Sequence, residues 1–286
     1  MKKVLLLGHT GKLGSALSKS LSSDYLVSGK NSSDFDAENF ERVTELIYES
    51  QPDIIINSVA FMGIDACELQ PGKAQLINTL FPGHLAKLAA KLGITLVHFS
   101  TDAVFNDEKQ DFCTEADIPS PLNMYGVTKY GGECLVRSRC ERHYIFRVPL
   151  LFGECARKNQ FVEKMLGLLY AGQKNIRVSS DLITSPTYSG DVAAHVRQLL
   201  LNQAPFGAYH LANEGKATLH ELMVEIVAAL KIDATVEKAS FKDFPFIGIK
   251  NTYTPLKSIK TNILRPWQEA VQEYYYSLTG KGEQRG

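Results

Sequence analysis

Val4-Leu5-Leu6-Leu7-Gly8-His9-Thr10-Gly11-Lys12-Leu13-Gly14, continuing through Ser15 to Leu21, is the stretch that decides the fold. A wholly apolar run ending at a glycine reads as a strand buried on both faces, the habit of a parallel sheet. Leu13, Ala16, Leu17 and Leu21 then recur at helical spacing. Strand, glycine turn and helix together form the context of a phosphate-cradling loop. Gly8 permits the tight turn, Gly11 lets the backbone approach a pyrophosphate, and Gly14 lets the helix pack closely; Thr10, Lys12 and Leu13 complete the loop. The helix N-terminus adds unpaired N–H groups and positive potential. The spacing is Gly-x-x-Gly-x-x-Gly, not the Gly-x-Gly-x-x-Gly of dehydrogenases with separate catalytic domains.

Working outward, Tyr25 to Ser28 reads as a second strand, ending at Gly29-Lys30-Asn31 without an acid. An acid there would grip the ribose 2′-hydroxyl of NAD and repel a 2′-phosphate. Lys30, with Lys12, favours NADP; Asp34 and Asp36 follow closely and leave NAD open. Phe40, Val43, Leu46 and Ile47 make one helical face. Asp53 to Asn57 reads as a third strand, with Ala60-Phe61-Met62 just past its carboxyl end, where ligands lie in open α/β sheets. A helical segment from about Pro71 to Leu92 carries an expected kink at Pro82. Ile94 to Phe99 is the fourth strand and runs into Ser100-Thr101-Asp102. This alternation predicts an α/β chain built on a Rossmann-type, doubly wound parallel sheet.

Pro121-Leu122-Asn123-Met124-Tyr125-Gly126-Val127-Thr128-Lys129 carries the chemistry. Tyr125 and Lys129 stand four residues apart, a turn apart on one helix face. A nearby ammonium favours the phenolate, so Lys129 is expected to lower the pKa of Tyr125 and hold a nicotinamide ribose. Thr101 offers a hydroxyl to a substrate carbonyl, Tyr125 a proton, and a nicotinamide cofactor the hydride.

Together with Asp53 to Ala60, Phe99 to Phe105, Gly132-Glu133, Phe146 to Pro149, Ser185 to Tyr188 and Gly207 to Ala212, these stretches resemble the extended short-chain dehydrogenase/reductases. Within them the chain looks most like the dTDP-4-dehydrorhamnose reductases, over nearly its full length. The resemblance implies a catalytic Thr101, Tyr125 and Lys129, with Asp102 beside the substrate. It also implies that Gly11 to Leu13, Asp34, Phe35, Ala60, Phe61 and Met62 line the dinucleotide. The implied reaction is NAD(P)H-dependent reduction of a 4-keto-6-deoxyhexose on a nucleotide carrier. The chain departs from the family at Ala103, where Tyr is usual, at Leu150, where Trp is usual, and at Thr254, where Arg precedes the proline. Leu150 would therefore mark a rewritten sugar pocket. A carboxylate that helps some members hold a dimer-bridging metal would fall near Ala16, which cannot ligate; a homodimer stays open. Two other readings stay open. One is an epimerase or dehydratase of the same superfamily. The other is a non-catalytic regulatory subunit like the β subunit of methionine adenosyltransferase, whose Arg-x-Pro-x-Leu-x-Gly-Glu run is matched by Arg147 to Glu154.

Residues 1–150 are expected to form the NAD(P)-binding domain, joined by returning segments near 183–212. Residues 151–286 would mainly form a smaller α/β substrate-binding lobe. Phe161, Met165, Leu168 and Leu169 are expected on a buried helix face. Thr218 and Glu221 have capping-box spacing, and Trp267 opens a final amphipathic helix. His210 reads as a structural histidine. Lys+Arg and Asp+Glu both number 31, which argues against a nucleic-acid or anionic-membrane partner. No run is long enough for a signal peptide or a membrane span, so a cytoplasmic location is expected. Five scattered cysteines and widely spaced histidines point to reduced thiols and no metal.

Overall fold

The computed structural model describes residues 1–155 and 160–280. Residues 156–159 and 281–286, which the expected second lobe spans, lie outside the described residues. Six parallel strands form one sheet in the order Gly207–His210, β5, β4, β3, β1, β2. Here β1 is Lys2–Leu7, β2 Tyr25–Lys30, β3 Ile54–Asn57, β4 Thr95–Thr101 and β5 His143–Val148. The winding reverses at β1, which lies between β2 and β3. A crevice is expected outside the strand ends at such a reversal.

Alternation along the strands sorts the core into two layers. Val4 and Leu6 face α1 (Lys12–Leu21) and meet Leu17, Leu21, Val192 and Val196. Leu5 and Leu7 face the other way, toward Val43 and Ile47 of α2 (Phe40–Ser50). Leu5, Leu6 and Leu7 are all fully buried, which contributes about 1.5–3 kcal/mol for each side chain.

Between β3 and β4 the chain makes α3 (Ile64–Leu69), α4 (Pro71–Gln75), a wide π turn at Leu76–Leu80, and α5 (Phe81–Leu92). The irregularity expected at Pro82 is this π turn. Pro82 has no N–H for the carbonyl four residues back, that of Asn78, so regular α winding cannot continue through it. The next helix, α6 (Met124–Arg139), runs between β4 and β5.

The second lobe has its own core. It comprises α7 (Phe161–Tyr170), a parallel pair of strands at Asn175–Ser179 and Thr235–Ala239, α9 (Leu219–Ala229) and α10 (Trp267–Thr279). Phe152, Leu166, Leu222, Trp267 and Tyr274 meet there. Thr218 and Glu221 make the expected capping box on α9. The buried face of α7 is Val162, Leu166 and Leu169; Leu168 is 37% exposed, a correction to the expected stripe. Phe161 and Met165 pack at its margin, which turns the helix by one position. Between these elements α8 (Ser189–Leu201) packs on α1, and Gly207–His210 pairs with β5. The chain thus crosses back to the first lobe before completing the second. His210 is buried, with Nδ1 3.0 Å from the Cys113 carbonyl oxygen, and burial lowers its pKa to about 4. No helix among the described residues is long and apolar enough to cross a membrane.

Candidate active site

A cleft of about 870 Å³ runs along the carboxyl ends of the sheet strands and between the lobes. One end is the glycine loop. Gly8, at φ +87°, accepts a hydrogen bond from the Gly11 N–H at 3.0 Å and closes the turn. A Cβ on Gly14 would lie 2.2 Å from the Gly8 carbonyl oxygen, so only glycine lets α1 start this close to the loop. No side chain caps α1, which leaves its first amides and positive dipole end facing the cleft, a fit to pyrophosphate. Gly8, Thr10, Gly11, Lys12, Leu13 and Gly14 all line this end.

Lys12 does not offer a free charge, contrary to expectation. Its side chain is 3% exposed and its Nζ lies 2.9 Å from Glu163 Oε1 on α7 while donating to the Leu151 carbonyl at 2.8 Å. Burial lowers its pKa; Glu163 opposes that. Lys30 and Asp34 are also absent from the cleft lining. β2 extends through Lys30, which borders a separate hollow with Lys3, Leu26 and Leu46. The Asp34 carboxylate accepts the Asn31 N–H at 2.7 Å and holds a turn. Asn31, Ser32, Phe35 and Asp36 line the cleft instead. Phe35 stacks on Phe81, with centroids 6.3 Å apart.

Ala60, Phe61 and Met62 line the middle of the cleft. A residue missed in the sequence holds them. Asn78, in the π turn, accepts the Phe61 N–H and donates to the Phe61 carbonyl, both at 2.9 Å, and donates to Thr128 Oγ1 at 3.2 Å. The loop is thereby fastened to α6. An asparagine four residues before a proline was the available signal.

The other end brings Thr101, Asp102, Tyr125 and Lys129 together. Asn123 caps α6, accepting the Gly126 N–H at 2.9 Å, and fixes the turn that carries Tyr125. The phenol shares a hydrogen bond with the Thr101 hydroxyl. Lys129 is 2% exposed and donates to the Phe99 carbonyl at 2.5 Å. The expected effect of Lys129 on Tyr125 is corrected: burial raises the phenol pKa, Asp102 and Cys67 add to this, and only Thr101 opposes it. Burial lowers the Lys129 pKa to about 8, with Glu133 opposing. Burial therefore favours the neutral phenol of Tyr125 over the phenolate.

Asp102 is a hub between lobes. Its carboxylate accepts Thr101 Oγ1 at 3.0 Å, Thr254 Oγ1 at 2.8 Å and Thr184 Oγ1 at 3.4 Å. Burial raises its pKa and these hydroxyls oppose the rise. Thr254 belongs to an irregular strap, residues 247–256, that the sequence did not reveal. Asp65 Oδ1 accepts the strap's Ile247 N–H at 2.9 Å, Asn251 donates to the Phe105 carbonyl at 2.8 Å, and Asp107 accepts the Thr252 N–H at 2.7 Å. Ala103 and Leu150 also line this end. Leu150 leans on the second core, and both side chains leave room where bulkier aromatics would intrude.

The family model described as the RmlD substrate binding domain matches residues 1–279. The spore coat polysaccharide biosynthesis protein SpsK of Bacillus subtilis is 32% identical over 279 residues, 96% of this chain and 97% of that protein. The dTDP-4-dehydrorhamnose reductase of Salmonella typhimurium is 34% identical over 226 residues, 76% of this chain and 75% of that enzyme. Methionine adenosyltransferase 2 subunit beta of Rattus norvegicus is 32% identical over 260 residues, 86% of this chain and 77% of that subunit. Among solved structures, the dTDP-4-dehydrorhamnose reductase of Bacillus anthracis in complex with NADP superposes with a TM-score of 0.90 at 26% identity, covering 96% of this chain and 99% of that one.

Proposed function

The chain belongs to the RmlD substrate binding domain family, and on that premise we propose that it reduces the keto group of a sugar nucleotide with NADPH. The substrate class is a 4-keto-6-deoxyhexose on a nucleoside diphosphate. The reductase relatives of Salmonella typhimurium and Bacillus anthracis, the latter with NADP, support this reading. The observation that carries it is the meeting of Thr101, Asp102, Tyr125 and Lys129 in the cleft that begins at an uncapped helix N-terminus.

The glycine loop and α1 amides would hold the pyrophosphate, with Phe35, Ala60, Phe61 and Met62 along the dinucleotide. Bound NADPH supplies the hydride. The Thr101 hydroxyl, released from Asp102, would turn its proton to the substrate carbonyl oxygen. Tyr125, kept protonated by burial, delivers its proton to that oxygen as negative charge develops there. Lys129 provides a nearby positive charge and reaches toward the nicotinamide ribose. Asp102, ordered by three threonines, accepts from a sugar hydroxyl. NADH remains a usable donor, since Asp36 rather than a cation borders the adenine end.

The test is loss of absorbance at the NADPH band with dTDP-, UDP-, GDP- and CDP-linked 4-keto sugars. Oxidation with at least one is expected, and none with any would end the reductase reading. An epimerase or dehydratase would retain its dinucleotide and show no net consumption. The likeness to methionine adenosyltransferase 2 subunit beta favours one further reading, a cofactor-binding regulatory subunit. Stable co-purification with a larger enzyme, without turnover of its own, would support that instead.

A further inference from the structure

Four cationic side chains line the cleft among the described residues: Lys12, Lys73, Lys129 and Lys250. Three are engaged. Lys12 is paired with Glu163, Lys73 Nζ lies 3.1 Å from Glu38, and Lys129 donates to the Phe99 carbonyl. Lys250 is different. Its ammonium sits 5.1 Å from the centroid of the Phe246 ring and feels the carboxylates of Asp102 and Asp65. No hydrogen bond among the described residues ends on it.

The backbone around Lys250 is nevertheless fixed. Asp65 Oδ1 accepts from the Ile247 and Gly248 amides, and Asn123 Nδ2 donates to the Ile249 carbonyl at 2.9 Å. Beyond it, Asn251 and Thr252 are tied to Phe105 and Asp107. A half-buried cation is thus held in place by a strap anchored on both sides of it, with its donors unassigned. Such a group favours an anionic oxygen that completes its hydrogen bonds. The cofactor phosphates belong at the opposite end of the cleft, on the α1 amides. What remains at this end is the charge that the sugar carries with it.

We propose that Lys250 recognises the diphosphate of the nucleotide-sugar substrate, and that it makes the strap a specificity element. The inference rests on the sugar-nucleotide reading given above.

The test is titration calorimetry on the full chain with NADPH present. The probes are dTDP, UDP, GDP and CDP, with the matching uncharged nucleosides as controls. The parent protein should bind at least one diphosphate. Lys250→Gln should weaken that binding roughly ten- to a hundredfold, the range of a lost charge-assisted hydrogen bond. Its affinity for the nucleoside and for NADPH should stay put, and Lys250→Arg should restore most of the loss. If Lys250→Gln does not fold, Lys250→Met, which keeps the stem over Phe246, takes its place. Unchanged diphosphate affinity overturns the proposal. An equal loss for diphosphate and nucleoside also overturns it, since Lys250 would then only pin the strap. Failure of the parent to bind any diphosphate overturns it too. A Lys250-dependent diphosphate site without turnover of any keto sugar would sink the reductase reading and leave this one standing.

Discussion

Lys12 and Glu163 form a buried ion pair between the glycine loop and α7, with Nζ 2.9 Å from Oε1 and side chains 3% and 8% exposed. The pair ties the nucleotide end of the cleft to the second lobe. Removing one partner of such a pair strands the other charge, at a cost of about 3–5 kcal/mol. We therefore expect Glu163→Gln to lower unfolding stability markedly in urea titrations, and the Glu163→Gln, Lys12→Met double variant to recover most of the loss. Equal losses in both would show that the pair is not coupled. Because the ammonium already has a counter-charge, Lys12→Met should shift the NADPH-to-NADH preference little. A large shift would show that Lys12 leaves Glu163 to meet the 2′-phosphate.

Tyr125 is the proton donor in the proposed reaction. Tyr125→Phe keeps the ring and removes the proton, so turnover should fall about 10²–10⁴-fold. NADPH affinity, read by fluorescence titration, should remain close to that of the parent. Near-normal turnover would take Tyr125 out of the role.

In the proposed reaction Lys129 would set the alkaline limit. Its pKa is lowered to about 8, so the side chain is charged below that pH and neutral above it. If the ammonium is needed, kcat/KM for reduction should be flat near neutrality and decline as pH rises through about 8. The phenol gives no such limb there, since burial raises its pKa instead of lowering it. A profile level up to the ordinary lysine range of about 10.4 would show that the charge is dispensable.

Glu133 and Arg147 anchor α6 to β5. Arg147 Nε donates to Oε1 at 2.9 Å and Nη2 to Oε2 at 2.7 Å, with both side chains buried. Glu133→Gln should cost about 3–5 kcal/mol by leaving the guanidinium poorly compensated. Thermal unfolding checks this, and an unchanged midpoint would mean the pair carries little.

The fold was legible because its signals are local. An apolar run, a glycine turn and a helical stripe lie within the first 21 residues, and Tyr125 and Lys129 lie within one helical turn. Lys30 and Asp34 stay out of the cleft lining because β2 runs to Lys30 and the following turn takes up Asp34; a few residues of boundary decided which side chains reach the cleft. The partners of Lys12 and Asp102 were illegible for another reason. Glu163 is 151 residues from Lys12, and Thr254 is 152 residues from Asp102. Spacing carries no information about contacts that only the docking of two lobes creates. The ammonium at position 129 was read as an acid-strengthening neighbour because proximity on a helix is visible in sequence, whereas desolvation is not.

The strap that finishes the Asp102 hub contains no helix and no strand beyond single bridges. Its residues can therefore change without disturbing the sheet or the loop that would grip the nucleotide. Descendants of this scaffold could alter their diet by editing ten positions of irregular chain while inheriting the rest of the machine untouched.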